Sequence, residues 1–256
     1  MALLKIESLT VRFGGLVAVD SFSMSVQKGT IHSLIGPNGA GKTTVFNAIT
    51  RAVKVHSGSI ELDGVELTRV LPHRIVSMGV ARTFQNVAVF RYLTVLDNLY
   101  LGYHHRIEGG LLSDLVLTKR RLVQSYEMYR EALKIADFLN LKSRLLSYAG
   151  TIPYFYQKLV EIGRALMAKP KLLLLDEPAA GLNEVETDQL VNIIRRIKDE
   201  LGITVLLIEH DMRVVMDISD MVTVMDFGKK ISEGLPHEVQ KDSKVISAYL
   251  GEIQGA

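Results

Sequence analysis

The sequence predicts an α/β fold: a core on a mostly parallel sheet, an N-terminal antiparallel β subdomain and an inserted α-helical subdomain. Three observations carry this expectation. Roughly the first ninety residues read as strands joined by short turns, with one helix among them. After Lys169, strand-sized apolar runs alternate with helical stretches, the rhythm of a parallel sheet covered on both faces. Between them, from about Leu93 to Leu146, glycine is confined mostly to 102–110 and long helical periods appear.

Taken in order, LLKIESLTVRF and VAVDSFSMSV alternate as half-buried antiparallel strands do. TIHSLIG (30–36) is a buried strand running into a glycine-rich turn, KTTVFNAITR is helical, and SGSIELDG has the turn residues of a short hairpin. In the middle, Met128, Ala132, Ile135 and Leu139 share one helical face, with Glu127, Arg130, Glu131 and Lys134 elsewhere. HHRIEGGLLSDL (104–115) reads as a loop or short-helix excursion within the insertion. KLLLLDEP is then a buried strand, 184–201 a helix, GITVLLIEH a strand and DMRVVMDIS a helix. MVTVMDFGKKISEG forms a strand pair turning at Gly228, and a last helix runs to about Leu250. The expected boundaries are 1–91 with 169–256 for the core and 92–168 for the helical subdomain.

Composition narrows the function. An apolar content of 48% supports a large buried core. Thirty basic residues against 28 acidic ones are nearly balanced and give no argument for nucleic acid, which usually demands a concentrated basic face. With no cysteine, disulfides and thiolate metal sites are excluded, and a reducing compartment is consistent. MALLKIESLTVRF lacks the pattern of a signal peptide. LLLL (172–175) and ITVLLI (203–208) are strand-sized, far short of a bilayer span, so any membrane crossing is expected of other chains.

The chemistry sits in three places. GPNGAGKTT, which is Gly36, Pro37, Asn38, Gly39, Ala40, Gly41, Lys42, Thr43 and Thr44, fits a phosphate-binding loop between strand and helix, and makes the core that of a P-loop NTPase. Its glycines let backbone amides turn inward on phosphate oxygens, Lys42 brings charge to the β- and γ-phosphates, and Thr43 offers a hydroxyl to Mg²⁺. In LLLLDEP, Asp176 at the strand's carboxyl end is the expected holder of Mg²⁺, and Glu177 is placed to polarise an attacking water. His210 ends ITVLLIEH, where it can reach a γ-phosphate; taken alone, a histidine satisfied within its loop is the commoner reading. The other histidines, His104 and His105 included, form no second ligand cluster and read as surface residues.

With these elements in order, the chain resembles the ATP-binding subunits of ABC transporters along essentially its whole length. RTFQN (82–86) is similar to the loop whose glutamine, here Gln85, senses Mg²⁺ and water and contacts the membrane subunits. Phe13, in VRFGG, stands where the family places an aromatic on adenine, with Val19 nearby. AAGLN (179–183) resembles the segment that crosses between two ATPases. RTFQN, TVLDNL, EIGRAL, DEPAAGLN, LIEHDM and AYLGE, with an insertion around 104–125, resemble the branched-chain amino acid uptake branch. The resemblance implies ATP and Mg²⁺ as ligands, a second ABC ATPase, integral permease subunits and, indirectly, a substrate-binding protein. It also implies a peripheral position on the cytoplasmic face of the membrane.

One stretch departs from the family. TIPYFYQKLVEIGRAL (151–166) carries the signature helix, but aligning Gln157–Leu166 puts Ile152, Pro153, Tyr154, Phe155 and Tyr156 on the five signature positions. Phe155 stands where a glycine lets the backbone approach the opposite subunit's γ-phosphate, so its ring is expected to collide with nucleotide or swing away and leave a gap. Pro153 removes a hydroxyl and an amide donor. LSYAG (146–150) mimics a signature but lies six residues too early. The expectation is a competent phosphate-loop half and an impaired signature half, which favours a heterodimer over a homodimer. Alternatives that stay open are a lipopolysaccharide or other export ATPase and a nucleotide-gated regulator with little turnover. A DNA-repair type ATPase would need coiled coils or a basic surface that are absent.

Overall fold

The computed structural model describes residues 1–84, 87–106 and 119–253. It divides into two compact units, Met1–Arg82 with Lys171–Ala256, and Thr83–Pro170.

All described strands lie in the first unit. In chain order they are β1 (Ala2–Phe13), β2 (Leu16–Gln27), β3 (Ile31–Ile35), β4 (Ser57–Leu62), β5 (Val65–Glu66), β6 (Val80–Arg82), β7 (Leu172–Asp176), β8 (Thr204–Ile208), β9 (Met221–Asp226) and β10 (Lys229–Gly234). The order β2-β1-β4-β5 makes an antiparallel sheet. The second sheet runs β10-β9-β3-β8-β7-β6, parallel except for β10 at one edge. Every residue of β3, β7 and β8 is buried, as strands covered on both faces require. One apolar cluster joins Leu4, Ile6 and Phe22 of the antiparallel sheet to Leu34, Leu174 and Leu206 of the parallel one. Each such side chain contributes roughly 1.5–3 kcal/mol by leaving water.

The helices are α1 (Lys42–Ile49), α2 (Val95–Tyr103), α3 (Lys119–Phe138), α4 (Tyr154–Met167), α5 (Glu184–Leu201), α6 (Met212–Ile218), α7 (Pro236–Val239) and α8 (Ser243–Ile253). α2, α3 and α4 form the second unit. α2 starts with a capping box in which the Asp97 N–H donates to Thr94 Oγ1 at 3.1 Å and the Thr94 N–H to Asp97 Oδ2 at 3.2 Å. A Cβ on Gly102 would lie 1.9 Å from the Arg164 carbonyl oxygen, so α2 and α4 pack backbone against backbone there. Ala132 and Leu139 on α3 are buried and Met128 and Ile135 half-buried, the stripe the periodicity predicts.

This second unit begins at Thr83, earlier than the expected residue 92, for a local reason. Buried Asn98 of α2 accepts from the Phe90 N–H at 2.8 Å and donates to the Phe90 and Thr94 carbonyls at 3.0 and 2.9 Å. Buried Glu161 of α4 accepts from the Phe84 N–H at 2.9 Å. Phe84 and the stretch from Phe90 to Thr94 are thus held by side chains of α2 and α4.

Candidate active site

The site of the first unit is built on the carboxyl ends of three adjacent parallel strands. β3, β8 and β7 are neighbours, with Leu34 opposite Ile208 and Ile208 opposite Asp176. Neighbouring strands are about 4.8 Å apart, so the loops leaving them converge within about 10 Å across the sheet edge.

The phosphate loop leaves β3 at Gly36. Gly36 has φ 148°, and a Cβ there would stand 1.9 Å from the Met225 carbonyl oxygen; Gly41 has φ 104°, and its Cβ would meet the Ala18 carbonyl at 2.4 Å. Only glycine fits either position. Lys42 opens α1 with its ammonium folded into the loop, donating to the Gly36 and Pro37 carbonyls at 2.7 and 2.8 Å. Gly41 caps α1 without a side-chain bond. The helix therefore presents amides and the positive end of its dipole to the loop. Asn38, Gly39 and Thr43 are exposed and Thr44 half-buried, while Pro37 and Ala40 are buried.

Asp176 ends β7 almost wholly buried, at 1% exposure. Its Oδ2 accepts from Arg82 Nη2 at 2.8 Å, and Arg82 Nη1 donates to Asn47 Oδ1 at 2.6 Å. The Arg82 guanidinium also lies over the Phe46 ring of α1, 5.6 Å from its centroid. Arg82 is a residue that sequence reasoning missed, because β6 lies far from β7 in the chain although the two pair in register. A basic residue closing an apolar strand just before RTFQN's glutamine was the available signal.

Glu177 follows in the left-handed region with φ 49°, a strained conformation for a glutamate. Its N–H donates to the Ile208 carbonyl at 2.9 Å, and its Oε1 is hydrogen bonded to His210 Nε2. The two residues expected to act on water and γ-phosphate are thus in contact. His210 precedes α6, whose N-cap Asp211 accepts from the Arg213 N–H at 2.8 Å.

These residues fit a magnesium nucleotide. Asp176 Oδ1 is buried without a hydrogen-bond partner among the described residues, a lone-pair donor matched to a metal or its water. A cation in the loop, inward amides and a carboxylate two strands away supply what a polyphosphate requires.

Other expected positions fall out differently. Phe13 is half exposed at the end of β1, open to a flat ligand. Val19 is fully buried in the core cluster and offers no surface to a nucleotide. Register shifts between β1 and β2 place Val19 opposite Val11 on the core face, while Val17 two residues earlier is partly exposed. Gln85 lies outside the described residues.

Residues 152–156, the expected signature region, lie in the second unit. Pro153 is the N-cap of α4 with ψ 151° and no side-chain cap bond, Ile152 is buried, and Tyr154 is exposed. The first intrahelical bond runs from the Gln157 N–H to the Pro153 carbonyl at 3.1 Å, so the amides of Tyr154, Phe155 and Tyr156 are the helix's open donors. Phe155 is only 5% exposed and packs edge-on to Tyr156 at 5.4 Å. Its ring is turned into the unit, where burial of an aromatic is favourable. Tyr156 in turn lies beneath the Arg144 guanidinium at 3.7 Å. LSYAG leads only into a 3₁₀ turn, Ala149–Thr151, and not into α4; the Ala149 and Gly150 amides are bonded to the Leu93 and Arg91 carbonyls.

A phosphate loop, with acid and histidine at the ends of neighbouring parallel strands, defines a nucleotide-hydrolysing enzyme. The ABC transporter family profile matches residues 19–180, and one described as branched-chain amino acid ATP-binding cassette transporter matches residues 229–253. The high-affinity branched-chain amino acid transport ATP-binding protein BraF of Pseudomonas aeruginosa is 42% identical over 250 residues, covering 98% of both chains. LivG of Escherichia coli K12, described in the same words, is 41% identical over 251 residues and again 98% of each. A nucleotide-free ATP-binding cassette from an ABC transporter superimposes with TM-score 0.85 at 35% identity, covering 97% of this chain and 99% of that one. An ADP conformation of such a cassette gives 0.84, also at 35%, over 98% and 99%. The chain belongs to the ABC transporter family and is one of its ATP-binding, ATP-hydrolysing subunits.

Proposed function

We propose that this subunit powers uptake of branched-chain amino acids, with permease subunits crossing the membrane and this chain peripheral on its cytoplasmic face. Support comes from 42% identity to BraF along 98% of both chains. No helix among the described residues is long and apolar enough to cross a membrane.

In this reading the loop 36–44 holds the phosphates, Lys42 stabilises charge on the β- and γ-oxygens, and Phe13 stacks on adenine. Thr43 and Asp176, with Gln85, hold Mg²⁺, which when bound neutralises phosphate charge. Glu177 orients and polarises the attacking water, and His210, held by Glu177, contacts the γ-phosphate. The observation that carries this assignment is the Glu177–His210 hydrogen bond beside the buried, half-satisfied Asp176. Binding ATP draws a second ABC ATPase against this one, residues 179–183 facing the partner. The signature stretch, Ile152 to Tyr156, meets the partner's nucleotide. Pro153 gives neither hydroxyl nor N–H there, which favours a partner of different sequence.

The two units serve as catalytic core and transporter-facing subdomain. In the latter, Phe84, Phe90 and Tyr92 are 55%, 55% and 92% exposed, a surface suited to an apolar permease segment. The test is uptake of radiolabelled leucine by vesicles carrying the reconstituted transporter. ATP-dependent accumulation that is lost in Lys42→Ala supports the reading. Uptake of an unrelated solute alone would contradict the substrate.

A further inference from the structure

Glu209 lies between β8 and His210 and is 3% exposed. Its Oε1 accepts a hydrogen bond from the Ala179 N–H at 2.7 Å. Its Oε2 accepts from the His210 N–H at 3.0 Å and the Asp211 N–H at 3.5 Å. Burial pushes this carboxyl above its usual range, and the three amides and His210 oppose that shift. A buried carboxyl group is expensive to keep unless its hydrogen bonds are well made, and these are made to backbone on two separate segments.

Those segments carry the chemistry. Ala179 is two residues beyond Glu177, and its neighbour along the sheet edge is the stretch that starts with His210. Glu177 sits in a strained left-handed conformation, which persists only where the surroundings over-determine it. The two segments are joined at three levels: the Glu177 N–H on the Ile208 carbonyl, the Glu209 carboxylate on the Ala179 amide, and the Glu177–His210 side-chain bond. Ile208 and Glu209 are consecutive, so the first two joints clamp the backbone on either side of the Glu177 side chain.

We infer that Glu209 is a positioning residue for ATP hydrolysis: its carboxylate bridges the turn after Glu177 to the amide of His210 and so holds the two side chains in contact. The hydrogen bonds of Glu209 reach neither the phosphate loop nor Asp176. Its loss therefore acts on turnover and not on nucleotide binding. The inference rests on the assignment of Glu177 and His210 proposed above.

The experiment compares wild type, Glu209→Gln, His210→Ala and the double variant as full chains with their transporter subunits. Turnover is normalised to ATP-binding stoichiometry, which removes any misfolded fraction. Glu209→Gln keeps the size but sets an NH₂ donor against backbone N–H groups. It is expected to lower kcat at least about tenfold with KM for ATP within about twofold. Added to His210→Ala it is expected to cost less than about twofold more, because both act through one contact. If Glu209→Gln folds poorly, Glu209→Asp, which keeps the charge but reaches only one segment, is expected to show the same loss confined to kcat. Unchanged kcat, a KM effect alone, or losses that multiply in the double variant would overturn the positioning role. Intact turnover in His210→Ala would instead overturn the assignment of the pair.

Discussion

Glu177 and His210, which leave neighbouring parallel strands 33 residues apart in the chain, are joined side chain to side chain through Oε1 and Nε2. The contact makes the histidine the glutamate's immediate neighbour, so each limits the rotamers of the other. A water-polarising carboxylate fixed in this way needs little reorganisation in the transition state.

Lys42 is held by the loop, its ammonium donating to the Gly36 and Pro37 carbonyls. Lys42→Ala removes charge-assisted bonds to phosphate and is expected to weaken ATP binding at least about tenfold while leaving the fold intact. Titration with a fluorescent ATP analogue, beside a melting curve, checks both.

Arg82 and Asp176 form a pair whose side chains are 11% and 1% exposed. Arg82→Ala removes the partner of the buried Asp176 carboxyl, and is expected to cost about 3–5 kcal/mol of stability. Urea unfolding measures this. Arg82→Lys keeps the charge but not the fork that serves Asn47 and Asp176 together, so it is expected to fall between.

The parallel core was legible because β3, β7 and β8 are buried on both faces, and β7 and β8 read as nearly continuous apolar runs. The phosphate loop was legible because GPNGAGKTT sits between such a strand and a helix. What escaped was long-range. Arg82 and Glu209 draw their partners from strands paired across the sheet, which no local pattern announces. The burial of Val19 was not legible because register shifts between β1 and β2 decide which residues face the core. Which way the Phe155 ring turns depends on the interior of the helical unit, which alignment does not show.

Phe155 is therefore a core residue, and this reverses what a glycine there would do. Phe155→Ala is expected to destabilise the protein by about 3 kcal/mol through lost burial and a cavity. Phe155→Gly is expected to do at least as much and not to raise turnover. A gain in turnover with Phe155→Gly would mean that the ring does obstruct the partner's nucleotide.

His32 on β3 is buried, hydrogen bonded to Thr223 Oγ1 at 2.7 Å, with Glu233 and Lys230 of β10 acting on it from the sheet edge. Burial lowers its pKa from 6.5 to about 4. Between those values the unfolded chain takes up the proton and the folded one does not, so stability falls as pH falls through this window. The loss from this group approaches about 3 kcal/mol near pH 4. Buried Glu161 and Glu209, raised by burial, act in the opposite sense, so the comparison must be with His32→Gln. Unfolding free energies from pH 7 to 4 are expected to fall less steeply in that variant.

The most direct measurement is single-turnover hydrolysis of bound Mg-ATP by the assembled transporter, wild type against Glu177→Gln. The substitution keeps the shape and a hydrogen bond to His210 but removes the carboxylate proposed to polarise water. Hydrolysis is expected to slow at least about a hundredfold, within the range attributed to a positioned base, with ATP affinity unchanged. Hydrolysis at the wild-type rate in Glu177→Gln would contradict the account, because the water would then be activated somewhere other than the Glu177–His210 contact.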